Sequence, residues 1–391
     1  MNPFGASIDC PCGRRHQIEP RDVFYGDDAL PRLLAWMQGT GLGAPKSEPE
    51  RRRVAVIMDA RTREVAGRAA ACALSDAGWR VHEIVVPDPG PGRTPACDEA
   101  TRDAVARAWP GDAAWALAVG SGVVSDLAKW TAFDRNLPFA CYATAASMNG
   151  YASANVAVTR EGVKTLVHAR PPLAVAASGA IVRDAPYEMT AAGLGDVLAK
   201  SVSSADWRLN HLLFGEYYCD ASVRLIAEIE PLYLEHPEDV RARTPAAVEA
   251  LFQALLLTGV AMTMAGSSAP ASGGEHLISH TLDMMTAIDG RPHDLHGRQV
   301  GIGTVLASEL YRRVLAVESP RLADRAPEDA SDEGALDKSF WGPLAPAVAK
   351  YQTERAETMR RARAALSKRD AWDRMRAELA PMLRAPEKIH G

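Results

Sequence analysis

The stretch "AAWALAVGSGVVSDLAK" (113–129) decides the fold. Its first eight residues form a short, continuous apolar run, the mark of a strand buried on both faces of a parallel sheet. Gly120, Ser121 and Gly122 then turn the chain, and a helix opens behind them. Glycines at such a turn let the backbone approach a pyrophosphate, and the helix N-terminus attracts its charge. The turn is not a G-x-G-x-x-G pattern, so an ordinary tight strand-to-helix turn fits it equally well.

The same alternation extends on both sides. "RRVAVIMDA" (52–60), "RVHEIVVP" (80–87) and "PFACYAT" (138–144) read as further strands, while "TREVAGRAAACALSDAGW" (62–79) and "CDEATRDAVARAW" (97–109) have helical periodicity. Such repetition implies a doubly wound parallel sheet with helices on both faces. After about residue 185 the pattern becomes helical throughout, at 188–213, 246–266, 275–285, 296–317 and 340–370. The expected architecture is an α/β nucleotide-binding domain over residues 1–185 and an all-α domain over 186–391. The charged segment 319–337 is expected to be a surface loop.

Composition narrows the function. Of 391 residues, 47% are hydrophobic and 24% charged, enough for a large buried core. A net charge of −5 gives no basic surplus and so no nucleic-acid partner. No continuous apolar run reaches the roughly 18 residues of a membrane span, and the N-terminus lacks a hydrophobic signal core. The expectation is a cytoplasmic protein with a small-molecule substrate. The six cysteines are scattered, which argues against a disulfide framework. Cys10 and Cys12 lie close to His16, but no second Cys/His pair follows at zinc-finger spacing, so a metal knuckle carries little weight.

Three further features could carry chemistry. Asp59 ends the strand "VAVIMD", where a carboxylate can bond a cofactor ribose or cap the next helix; Arg61 and Arg63 nearby could instead meet a 2′-phosphate. "TAASMNGYAS" (144–153) is a small, polar loop after a strand, the kind that lines a ligand crevice. Asp196 interrupts an apolar helical stretch, and four of the ten histidines, His276, His280, His293 and His296, fall close together. An Asp with two His and one open position suits a catalytic metal site, whereas hydrogen-bonded core histidines are the plain alternative. In "GGEHLISH" (273–280), His276 and His280 share one helix face.

Taken together, "CPCGRRH", "GSGVVSDLAK", "TAASMNGYAS", "MTAAGLGDVLAKSVSSADW", "GEYYC", "ASGGEHLISH" and "HGRQVGIGT" resemble the sn-glycerol-1-phosphate dehydrogenase family. More widely they resemble the glycerol dehydrogenase, iron-containing alcohol dehydrogenase and dehydroquinate synthase superfamily. The resemblance runs from about residue 10 to 310. It implies reduction of dihydroxyacetone phosphate by NADH or NADPH in a cleft between the two domains, and a homo-oligomer. It implies a divalent ion, zinc or nickel, held by Asp196, His276 and His296, which with His280 form the catalytic set. Gly122, Val123, Val124, Ser125 and Asp126 would cradle the pyrophosphate. Thr144, Ala145, Ala146, Ser147 and Ser153 would contact the cofactor, Asp59 its ribose, and Lys164 would lie near cofactor and substrate. Asn149, Asp196 and His280 would face the substrate.

Three positions depart from the family pattern. Asn149 replaces an Asp, Ala269 replaces an Arg, and "AVAASGAIV" (174–182) lacks an Asp expected near Ser178. Asn149 keeps one acceptor but loses the charge and adds a donor. With the metal set intact, a dehydrogenase on dihydroxyacetone phosphate leads. A relative with an altered hydroxy or keto substrate comes next, and a catalytically silent binding protein last. A dehydroquinate synthase-like cyclase fits the motifs less closely.

Overall fold

A computed structural model describes residues 3–42, 52–160, 163–225, 227, 229–290, 294–321 and 336–383. His293 and residues 322–335 of the expected 319–337 loop lie outside the described residues. A small antiparallel hairpin, β1 (Ser7–Asp9) and β2 (Arg15–Gln17), precedes the main sheet. The main sheet contains β3 (Asp22–Tyr25), β4 (Arg53–Asp59), β5 (Arg80–Val86), β6 (Ala113–Gly120), β7 (Phe139–Ala143) and β10 (Ala174–Ala177). A second hairpin, β8 (Asn155–Arg160) and β9 (Val163–His168), stands apart from it.

All pairings in the main sheet are parallel, in the order β3-β10-β7-β6-β4-β5. The sequence reading found β4, β5, β6 and β7 and missed β3 and β10. Each of those two has only four residues, too short to show a period. The order reverses between β4 and β6. Their carboxyl ends, Asp59 and Gly120, therefore flank the switch point at which doubly wound sheets bind ligands.

The helices are α1 (Ala29–Gly39), α2 (Ala60–Thr62), α3 (Arg68–Asp76), α4 (Glu99–Arg107), α5 (Gly122–Asp134) and α6 (Gly179–Asp184). They continue with α7 (Tyr187–Leu198), α8 (Lys200–Phe214), α9 (Asp220–Arg224), α10 (Glu230–Leu234), α11 (Pro237–Ala242) and α12 (Pro245–Ala265). The last are α13 (Gly274–Asp289), α14 (His296–Leu315), α15 (Lys338–Trp341), α16 (Ala345–Leu366) and α17 (Ala371–Leu379). A π turn at Arg63–Gly67 joins α2 to α3. The single helix expected at 188–213 breaks into α7 and α8. No strand occurs after β10 among the described residues.

The buried strands still alternate by face. Val54, Val56 and Met58 of β4 join Trp115, Leu117 and Val119 of β6 under α1 and α3. Ala55 and Ile57 join Ala116 and Ala118 on the opposite face, where the core runs on without a break into Val248, Leu251, Phe252 and Leu255 of α12. By length and mean hydropathy (1.6), α12 could cross a membrane, but 83% of its apolar window is buried in this core. Glu249, Gln253 and Thr258 interrupt the apolar letters, which is why the sequence showed no continuous run of that length.

Helices α7, α13 and α14 pack backbone against backbone. A Cβ built on Gly195 would collide with the carbonyl of Gly297, and one on Gly297 with the carbonyl of Ala192. A Cβ on Gly303 would collide with the carbonyl of Glu275. Backbone atoms cannot rotate away as a side chain can, so only glycine permits this spacing. Gly297→Ala should force α7 and α14 apart, costing about 1–3 kcal/mol by overpacking. Urea unfolding would detect the loss, and an unchanged stability would show that the spacing is not critical.

Lys200 opens α8 wholly buried, and its ammonium has no hydrogen-bond partner among the described residues. Burial lowers its pKa to about 8, against a weaker pull upward from Glu230. The unfolded chain therefore holds more protons between that value and the free-lysine value of about 10.4, and stability should rise with pH across this window. Lys200→Met should be more stable at pH 7 and flatten the rise. Denaturation at pH 7.5 and 10 tests this, and an unaltered pH slope in the variant would refute it.

Candidate active site and metal centre

Asp196 projects from the middle of α7 and is 1% exposed. Its Oδ2 accepts a hydrogen bond from the backbone N–H of Asn149 at 2.7 Å. Its Oδ1 is buried, has no hydrogen-bond partner among the described residues, and lies 3.7 Å from His276 Nε2. Burial pushes this carboxyl up to about 6, opposed by His276 and the Asn149 amide. A buried oxygen with nothing to bond is costly, and a cation would offset that cost.

His276 stands in the first turn of α13. Asp206 Oδ2 accepts the N–H of Gly274 at 2.7 Å and anchors the start of this helix. Glu275, fully buried, accepts the N–H of Gly273 at 2.7 Å and holds His276 Nδ1 at 2.8 Å through the same oxygen. The pairing protonates Nδ1 and leaves the Nε2 lone pair facing Asp196, the usual second-sphere arrangement behind a metal-binding histidine. His296, first residue of α14, is set in the same way. Ser279 donates to Gln299 Oε1 at 3.1 Å and accepts from His296 Nδ1 at 3.2 Å. The ligand atoms of Asp196, His276 and His296 all lie within 4.8 Å of one another. One carboxylate and two oriented imidazoles suit zinc, nickel or iron and leave room for a further ligand.

His280 sits one turn beyond His276, their ring centroids 6.1 Å apart, and stacks on His296 at 6.0 Å. Burial lowers its pKa to about 4, with His276 and Lys164 adding to the effect. His280 is therefore neutral at pH 7 and can offer a hydrogen bond, but it is not a stored imidazolium. Lys164 lies on β9, which packs against α13.

At the switch point, the side chains of Val124 and Ser125 turn into the core, and Ser125 Oγ meets Cys141 Sγ at 3.4 Å. Gly122 and Val123 are half-buried, so what α5 offers a phosphate here is backbone N–H. Ser121, the N-cap, spends its hydroxyl on Ser147 and on Tyr151 Oη (3.0 Å), not on capping the helix. Asp126 is tied to Lys129 at 3.2 Å and to the Ala157 N–H at 3.2 Å. Lys129 also donates to the carbonyls of Gly150 at 2.7 Å and Asn155 at 3.0 Å, fixing the loop after β7. Thr144, Ala145, Ala146 and Ser153 are buried in that loop, and Ser153 Oγ accepts the N–H of Asn155 at 3.0 Å.

Asp59 forms a capping box with Thr62 and pairs with Arg61 at 2.9 Å, while Arg61 also binds Asp88 at 2.8 Å. The helix-cap alternative is thus realised in the structure. Ala269 packs in the apolar cluster of Trp207 and Cys219, and Ser178 caps α6. Glu275, Ser279, Gln299 and Asp206 were not singled out from the sequence. Glu275 was visible inside "GGEHLISH"; the other three are recognisable only from the folded contacts.

Residues 42–186 match the family model described as iron-containing alcohol dehydrogenase. Glycerol-1-phosphate dehydrogenase (NAD(P)+) of Bacillus subtilis is 32% identical over 298 residues, covering 76% of this chain and 73% of that protein. The enzyme of the same name from Thermococcus kodakarensis is 34% identical over 292 residues, covering 75% of this chain and 78% of that protein. In fold the chain is similar to glycerol dehydrogenase from Schizosaccharomyces pombe. The TM-score is 0.60 at 18% identity, over 99% of this chain and 87% of that one. It is likewise similar to a 1,3-propanediol oxidoreductase, with TM-score 0.57 at 16% identity over 96% and 90%. The chain belongs to the glycerol-1-phosphate dehydrogenase family, NAD(P)-dependent oxidoreductases of the iron-containing alcohol dehydrogenase type.

Proposed function

We propose that this protein interconverts dihydroxyacetone phosphate and sn-glycerol 1-phosphate, using NAD or NADP and one zinc or nickel ion at Asp196, His276 and His296. The carrying observation is the buried, unpartnered Oδ1 of Asp196, converging with two imidazoles whose far nitrogens are already engaged. When bound, the ion supplies Lewis acidity toward a ketone oxygen and the nicotinamide supplies or accepts the hydride.

The chain's own contribution is placement. The N–H of Asn149 fixes one oxygen of Asp196 and frees the other. Neutral His280 offers a hydrogen bond to the substrate hydroxyl, and solvent supplies the proton, because an imidazole held near pKa 4 is a poor proton store at pH 7. Lys164 brings a positive charge close to His280, suited to a substrate phosphate. The first N–H groups of α5, at Gly122 and Val123, face the crevice for the pyrophosphate, with Asp126 neutralised by Lys129. Thr144, Ala145, Ala146, Ser147 and Ser153 shape the opposite wall, and Asp59 meets the ribose from its cap.

In this reading residues 1–185 bind the dinucleotide and 186–391 the metal and substrate, in the cytoplasm. A homo-oligomer is supported by Ile302, Leu306 and Leu310, an apolar stripe on α14 that is 59%, 55% and 62% exposed. A second reading, a relative with an altered substrate, draws support from Asn149 Nδ2, a buried donor without an acceptor among the described residues. A bound substrate oxygen would satisfy it.

After metal loading, NADH oxidation with dihydroxyacetone phosphate is expected. Tight metal and NAD binding without turnover would instead favour the second reading. His276→Ala should lose the metal. His280→Ala should keep it and lose about a hundredfold or more in kcat, the range of a lost acid–base or hydrogen-bonding group. Equal metal loss in both variants would undo the division of roles.

A further inference from the structure

The three N-terminal residues Cys10, Cys12 and His16 acquire a fourth neighbour in the fold, from more than two hundred residues away. Cys219, the residue before α9, brings its sulfur to 3.6 Å from Cys10 Sγ and 3.6 Å from His16 Nε2. Cys12 Sγ lies 3.3 Å from His16 Nε2, and the four ligand atoms are all within 4.8 Å of one another. We propose that Cys10, Cys12, His16 and Cys219 form a structural zinc site that fastens the N-terminal hairpin to the helical part of the molecule.

The geometry fits a tetrahedron. Zinc–sulfur bonds of about 2.3 Å and zinc–nitrogen bonds of about 2.0 Å imply ligand edges of about 3.8 Å between sulfurs and about 3.5 Å between sulfur and nitrogen. Cys10–Cys219 at 3.6 Å, Cys219–His16 at 3.6 Å and Cys12–His16 at 3.3 Å are within a few tenths of an ångström of these, and the other separations are no more than 4.8 Å. A disulfide fits less well, since the Cys10 and Cys219 sulfurs stand far beyond the roughly 2.05 Å of an S–S bond. All six cysteines are free.

The surroundings suit thiolates. The backbone N–H of Cys12 is directed at the Cys10 sulfur and that of Arg14 at the Cys12 sulfur. Tyr217 Oη lies 3.2 Å from Cys12 Sγ, and the Arg14 guanidinium rests on the Tyr217 ring at 3.5 Å. Three thiolates and a neutral imidazole leave a zinc site with one net negative charge, which Arg14 offsets. Cys219 is fully buried and His16 nearly so. The hairpin turn is closed by Gly13 N–H to the Cys10 carbonyl at 3.0 Å and Cys10 N–H to the Arg14 carbonyl at 3.0 Å, and Gly13 has φ +84°. The opposite ligand is held as firmly, because Ser222 of α9 donates to the Ala261 carbonyl of α12 at 2.9 Å.

This set differs in kind from Asp196, His276 and His296, with which it shares no residue. Four protein ligands close the coordination sphere, which marks a structural site, while three leave it open for chemistry. Binding releases the thiol protons to solvent, so affinity falls as the pH is lowered.

Zinc-edge X-ray absorption on the wild-type protein, purified and zinc-reconstituted under reductant, tests the proposal independently of the catalytic reading. The Asp196 set contains no sulfur, so any sulfur in the zinc shell at about 2.3 Å must come from this cluster. Elemental analysis should then show that His276→Ala retains one zinc per chain and that Cys219→Ala loses one, together with the sulfur scattering. If Cys219→Ala does not fold, the wild-type spectrum decides alone. A zinc shell of nitrogen and oxygen only, or a Cys10–Cys219 disulfide found by peptide mass spectrometry, would overturn the proposal.

Discussion

The candidate centre depends on how closely three helix backbones approach. Gly195, Gly297 and Gly303 bring α7, α13 and α14 into direct backbone contact, and Asp196, His276 and His296 lie beside those contacts. A carboxylate has a short reach, and an imidazole only a little more. Without the glycines, their ligand atoms could not come within a few ångströms of a common point. The crossing also explains the local composition: residues that would otherwise weaken a helix are concentrated where the helices touch.

Around that crossing, each polar group has one task that leaves another group free. The Asn149 N–H occupies one Asp196 oxygen and exposes the other; Glu275 occupies one His276 nitrogen; Ser279 and Gln299 do the same for His296. Low exposure strengthens these interactions and makes any unmet group costly. Among the described residues, three buried polar atoms at this centre have no hydrogen-bond partner: Asp196 Oδ1, Asn149 Nδ2 and Glu275 Oε2.

Much of this was legible in the sequence. Buried strands such as β4 and β6 declare themselves by continuous apolar runs, and the change to helix after residue 185 follows from periodicity. Asp196 and a cluster of four histidines stood out because such residues are rare in apolar helices, and the family resemblance selected His276 and His296 from that cluster. What could not be read was spatial. Four-residue strands such as β3 and β10 carry no period, and a helix break between Leu198 and Lys200 has no proline or glycine to signal it. Ser279 and Gln299 look like ordinary helix polar residues until His296 is placed beside them. Cys219 lies so far from Cys10 in the chain that no spacing rule connects them.

The pairing of β3 with β10 has a consequence for biosynthesis. The strand at Asp22–Tyr25 is completed early, yet its partner at Ala174–Ala177 is translated about 150 residues later. At about 5–20 residues per second this is a delay of roughly eight to thirty seconds. Throughout it, the first strand of the sheet has an unpaired edge. Its position at the border of the sheet, with only one neighbour to find, lets the remaining strands assemble in order while it waits.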